Sequence, residues 1–108
     1  MTPATQIKNF KRLLDSGRDD ALLRFSLGSA YFRNHQYNEA VIHLKAAIGH
    51  NPDYSAAYRT LAKAFEKNAD FAAAIQTYEN GIQAAQRAGD KQAEKEMHVF
   101  VRRLRKNQ

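Results

Sequence analysis

Residues 24–31 read RFSLGSAY and residues 58–65 read YRTLAKAF. Laid over one another at a shift of 34 positions, they put Leu27 on Leu61, Ala30 on Ala64 and Tyr31 on Phe65. Working outward, the same shift pairs Tyr37 with Phe71, Ala40 with Ala74, Leu44 with Tyr78 and Ile48 with Ile82. The matched positions are apolar. A period of this length marks a solenoid of stacked supersecondary units, because one unit cannot bury its apolar face alone and needs a neighbour to cover it.

Each periodic segment has helical spacing and none alternates like a half-buried strand, so the chain is expected to be all-α. Thr2 and Pro3 suit an N-cap and first helical position, and Ile7, Phe10, Leu13 and Leu14 then form one apolar stripe up to Gly17. Asp19 or Asp20 can cap a second helix carrying Leu23, Leu27, Ala30 and Tyr31. After a turn at Asn34-His35-Gln36, a third helix presents Tyr37, Ala40, Val41, Leu44, Ala47 and Ile48. It is expected to stop at Gly49, with Asn51-Pro52-Asp53 as the break and the next cap. The pattern then repeats: Ala57, Leu61, Ala64 and Phe65, a turn at Asn68-Ala69-Asp70, and Phe71, Ala74, Ile75, Tyr78, Gly81 and Ile82. Beyond Ala88-Gly89-Asp90 a last helix aligns Ala93, Met97, Phe100, Val101 and Leu104, which makes about six helices.

The chain offers Arg24-x2-Leu27-Gly28-x2-Tyr31, Ala40-x3-Leu44 and Pro52, then Tyr58-x2-Leu61-Ala62-x2-Phe65 and Ala74-x3-Tyr78. This resembles the tetratricopeptide repeat, whose pattern is W-x2-L-G-x2-Y, A-x3-F and a closing Pro in a unit of about 34 residues. Arg24 stands where a Trp is usual, and Gln86 where the second unit would have its Pro, which lets that helix run on towards Gly89. Small Gly28 or Ala62 lets the paired helices approach, and small Ala40 or Ala74 accepts the bulky Tyr31 or Phe65. The resemblance implies a right-handed α-solenoid of antiparallel helix pairs. Its single domain, 1–108, divides into a capping helix in 1–20, repeats at 21–54 and 55–88, and a capping helix in 89–108. The flanks supply the cover that two repeats alone would lack.

At 108 residues, 44% hydrophobic and 26% charged, the chain has ordinary folded-protein composition and buries roughly two thirds of its unfolded surface. With no Cys, disulfides, thiolate chemistry and Cys-based zinc sites are excluded. The first twenty residues have no apolar run of signal-peptide length, and no later stretch suits a membrane span, so a soluble, cytoplasmic monomer is expected. The net charge of +6 is concentrated: Arg102, Arg103, Arg105 and Lys106 fall in the last eight residues with no acid among them.

A solenoid of helix pairs lines its concave surface with the first helix of each pair. At about 100° per residue, Leu22, Phe25, Ser29 and Phe32 lie opposite the buried stripe of their helix, and Ala56, Arg59, Lys63 and Glu66 hold the same places one repeat later. The expected peptide-binding groove is therefore Leu22, Phe25, Ser29, Phe32, Arg59, Lys63 and Glu66, apolar at its start and basic in its middle. It suits a partner protein or peptide with an apolar anchor beside an acidic side chain or C-terminal carboxylate. Family members that clamp the tails of chaperones use Lys and Asn on successive first helices. Here those places hold Phe25 and Ser29, then Arg59 and Lys63, which leaves a looser carboxylate preference.

Other accounts of the same residues compete. The opening helix could cover Leu22, Phe25 and Phe32, and Arg59 and Lys63 could form a solvated face paired with Glu66. The basic tail suggests nucleic acid as an alternative, although cations at a helix end also complement its dipole and Phe100 sits on the apolar stripe. Self-association through Val99 is a third option. His35, His43, His50 and His98 make no metal-ligand pattern, and no catalytic or nucleotide motif appears, so no enzyme, metal or cofactor is expected.

Overall fold

The computed structural model describes residues 1–107, and among them the chain forms six helices: α1 (Pro3–Asp15), α2 (Ala21–Arg33), α3 (Tyr37–His50), α4 (Ser55–Lys67), α5 (Phe71–Ala88) and α6 (Lys91–Lys106). Side-chain caps fix four of the starts by satisfying orphan helix amides. The Thr2 hydroxyl accepts the Thr5 amide at 3.2 Å, and the carboxylates of Asp20, Asp70 and Asp90 accept the amides of Leu23, Ala73 and Ala93 at 2.7, 3.2 and 3.1 Å. Of the two aspartates that could cap α2, Asp20 does so, while Asp19 holds Arg24.

The turns of the two repeats superimpose as the sequences do. α2 and α4 each end with a left-handed residue, His35 at φ 59° and Ala69 at φ 58°. Around them the Gln36 amide reaches the Tyr31 carbonyl and the Asp70 amide the Phe65 carbonyl, both at 2.9 Å. These six-to-one bonds close a Schellman motif, and they hold a non-glycine residue in a region that L side chains disfavour. The break before α4 differs from the expectation. α3 runs one residue past Gly49 to His50, and Asp53 does not cap: α4 opens at Ser55 after Tyr54. Asp53 instead takes a 2.6 Å ion pair from Arg87 of α5.

Helices adjacent in sequence pack against one another, and in addition α2 touches α4 and α4 touches α6. The first helices therefore form one continuous layer. Leu27, Ala30, Tyr31, Ala40, Leu44 and Leu61 with Ile7 of α1 make one core, and Tyr58, Ala62, Ala74, Tyr78, Met97 and their neighbours a second. Ile48 and Phe65 pack against both and join them. Close approach is built in: a Cβ on Gly28 would lie 2.7 Å from Leu44 Cγ, and one on Gly81 would lie 2.6 Å from Met97 Sδ and 2.7 Å from Tyr58 Cβ.

Arg24, at the position where tryptophan is usual in this repeat, is locked by polar contacts instead of packing. Its guanidinium grips both oxygens of Asp19 at 2.7 and 2.9 Å and donates to His43 Nδ1 at 3.0 Å. A guanidinium can only donate, so His43 Nδ1 is the acceptor and the imidazole is neutral. Burial, together with the charge of Arg24, pushes the His43 pKa down, and the ring lies stacked on Tyr31 at 5.3 Å.

Candidate peptide-binding groove

α1 packs along α2 and reaches neither α4 nor α6, so the layer formed by α2, α4 and α6 is not closed over by the opening helix. Leu22 stands at the start of this layer with 59% of its surface exposed. Next to it Phe25 is half-buried against Tyr54, ring centroids 4.9 Å apart. Burial against its neighbours raises the Tyr54 pKa. Ser29 is half-buried, and its Oγ is shielded with no hydrogen-bond partner among the described residues.

The middle of the layer is less basic than its sequence suggests. Arg59 forms a 2.9 Å ion pair with Glu96 of α6, and Lys63 Nζ lies over the Phe100 ring, 5.2 Å from its centroid. Glu66 pairs with neither; its carboxylate accepts the Tyr78 hydroxyl at 2.5 Å. Tyr78 is fully buried, and burial with this bond raises its pKa. The net effect is to neutralise Arg59 and to shift free positive charge towards the C-terminal ends of α4 and α6.

There the structure joins three of the seven expected residues to four others. Phe32, Lys63 and Glu66 line a cavity of about 220 Å³ together with Lys67, Phe100, Arg103 and Leu104. Phe32, Phe100 and Leu104 provide apolar walls, and Arg103 approaches the Phe100 ring centroid to 5.7 Å, so two cations flank one ring. An apolar pocket ringed by Lys63, Lys67 and Arg103 can take a hydrophobic side chain and an adjacent carboxylate at once. Leu22, Phe25, Ser29 and Arg59 lie outside it. Sequence reasoning missed the α6 contribution because Phe100 was assigned wholly to the buried stripe. The available signal was a second stripe of Glu96, Phe100 and Arg103 at i, i+4, i+7 along one flank of α6.

The fold defines a class: an α-solenoid of helix pairs whose first helices form one open layer. The chain belongs to the tetratricopeptide repeat family, whose models match residues 31–94 and 7–49. It is 43% identical over 98 residues to a TPR repeat-containing protein of Pseudomonas aeruginosa, covering 91% of this chain and 93% of that one. The solution structure of a Bordetella parapertussis protein, BPP2914, is similar at 40% identity with a TM-score of 0.82, covering 94% of this chain and 88% of that one. The TPR2B domain of yeast Sti1, in its pHsp70 complex, has a TM-score of 0.85 at 17% identity, over 94% and 82% of the two chains, and so shares the fold. Tetratricopeptide repeats generally serve as non-catalytic modules for protein–protein interaction. Among the described residues no helix is long and apolar enough to cross a membrane.

Proposed function

We propose that this protein is a non-catalytic adaptor that binds a segment of a partner polypeptide along α2, α4 and α6. The observation that carries the reading is the cavity in which Phe32, Phe100 and Leu104 meet Lys63, Lys67 and Arg103. Its chemistry favours an apolar anchor beside an Asp, a Glu or a terminal carboxylate, with burial giving affinity and the cations orientation and on-rate. Leu22, Phe25 and Ser29 extend the apolar start of the same surface, and Arg59 contributes by holding α6 in place through Glu96. The division into capping helix, two repeats and capping helix belongs to this proposal, since α6 must complete the groove wall for the cavity to form.

Affinity capture of partner proteins tests it. Wild type is compared with a Phe32→Ala/Lys63→Glu variant whose helicity is shown to be unchanged. Loss of the captured partners is expected, and an identical set from both proteins would refute binding through this groove.

A further inference from the structure

The cavity does not end at α6. A second one, of about 280 Å³, is lined by Glu66, Phe71, Arg103, Leu104 and Asn107, and it shares Glu66, Arg103 and Leu104 with the first. The two adjoin at these shared residues, and the second lies beside the turn between α4 and α5. Phe71, the first residue of α5, is 43% exposed at its far wall. The 34-residue repeat shows why that is unusual. Its counterpart, Tyr37, packs on Phe32 with centroids 5.5 Å apart and bonds His35 through its hydroxyl at 2.8 Å. One repeat later the position of Phe32 is taken by Glu66, which turns to Tyr78. Where the first repeat closes an aromatic pair, the second leaves an open slot beside Phe71.

Cations outnumber acids at this junction. Arg18, Arg24, Arg59, Arg87 and Arg105 each hold a carboxylate of the chain. Arg103 and Lys67 hold none among the described residues; Glu66, which lines the cavity with them, keeps its charge but accepts the Tyr78 hydroxyl, so Lys63, Lys67 and Arg103 face a single anion.

Resting on the groove as a peptide site, we propose that the partner segment continues over the α4–α5 turn as an acidic peptide with two apolar anchors. One anchor fills the pocket between Phe32 and Phe100, the other fills the slot beside Phe71 and Leu104, and a carboxylate between them meets Lys67 and Arg103. Two anchors with a charge between them fix the register of the bound chain more tightly than one anchor does, and the second adds avidity.

An array of synthetic 12-residue peptides tests this, with two Leu positions and one Glu scanned through a Ser/Ala/Gly background. The expected selection is for two Leu bracketing the Glu. Phe71→Ala should weaken these peptides roughly tenfold while leaving single-Leu acidic peptides within about twofold. Lys67→Glu and Arg103→Glu should each weaken acidic peptides roughly tenfold. Arg102→Glu, the same charge change two residues away and so about 200° round α6 from Phe100, should alter binding less than about twofold. Selection of single-Leu acidic peptides with no response to Phe71→Ala overturns the two-anchor inference and leaves the groove standing. Peptide binding indifferent to Phe32→Ala, Lys67→Glu and Arg103→Glu overturns both.

Discussion

Replacing Gly81 by alanine should unseat α6 and with it one wall of the groove. Gly81 lies where α4, α5 and α6 converge, and an added Cβ would meet Met97 Sδ at 2.6 Å and Tyr58 Cβ at 2.7 Å. Met97 is a flexible side chain and can retreat, but Tyr58 Cβ is tied to the α4 backbone and the Tyr58 hydroxyl is anchored to the Pro52 carbonyl at 2.7 Å. Relief therefore requires helix displacement. Overpacking from two directions costs about 3 kcal/mol, at the upper end of the usual range. Alanine recovers about 1 kcal/mol of helix propensity, so the expected net loss is about 2 kcal/mol, a fall in Tm of roughly 8 °C. Gly49→Ala is the control: it lies in α3 with nothing within 4 Å of an added Cβ, and it should gain about 0.5 kcal/mol. Urea denaturation followed by far-UV circular dichroism reads both. The same Gly81→Ala variant should lose the Arg59–Glu96 ion pair and the Lys63–Phe100 contact, so peptide binding falls along with stability. A Gly81→Ala protein as stable as wild type would refute the close three-helix packing on which the groove depends.

Three further outcomes are expected. Ala69→Gly relieves the left-handed conformation at φ 58° and should raise stability by about 0.5–1 kcal/mol, seen as a higher melting temperature; an unchanged or lower one counts against strain there. Ser29→Ala removes a shielded hydroxyl that has no partner among the described residues and should stabilise the free protein by about 1 kcal/mol in urea unfolding, whereas a loss would mean that the hydroxyl is satisfied in solution. His43 titrates below its ordinary 6.5 because it is buried beside Arg24. The unfolded chain therefore binds more protons between the depressed value and 6.5, and stability falls as pH drops through that window. Urea midpoints from about pH 7.5 down to about pH 5 should show this slope, and His43→Asn should flatten it. The carboxylate of Asp19, held well below its usual range by Arg24, adds its own loss only in more acidic solution.

Much of this protein was legible along its chain. Leu27, Tyr31, Leu44 and their partners 34 residues on fall in the buried cores, because burial of one helix face leaves a 3.6-residue signature that needs no knowledge of the neighbour. The cap of α2 was narrowed to Asp19 or Asp20 for a similar reason, since a cap acts within three residues of itself; Asp70 and Asp90, read only as turn residues, turn out to cap α5 and α6. The break before α4 was read less well. Asp53 has a suitable side chain and sits beside Pro52, yet Arg87 from α5 claims it, and a competing partner 34 residues away leaves no local trace.

The groove divides along the same line. The sequence by itself determined which side of α2 and α4 faces away from the core, and so put Phe32, Lys63 and Glu66 on one shared surface. Only the tertiary structure decided what they do there. It brought Glu96 to Arg59, laid Phe100 under Lys63, set Arg103 and Leu104 across from Phe32, and left Phe71 without the aromatic partner that Tyr37 has. Periodicity records how each helix is buried, since that free energy is summed over its own residues. The angle and axial shift at which α6 meets α4 depend on the small space at Gly81 and on side chains from three helices at once, and those contacts have no period to read.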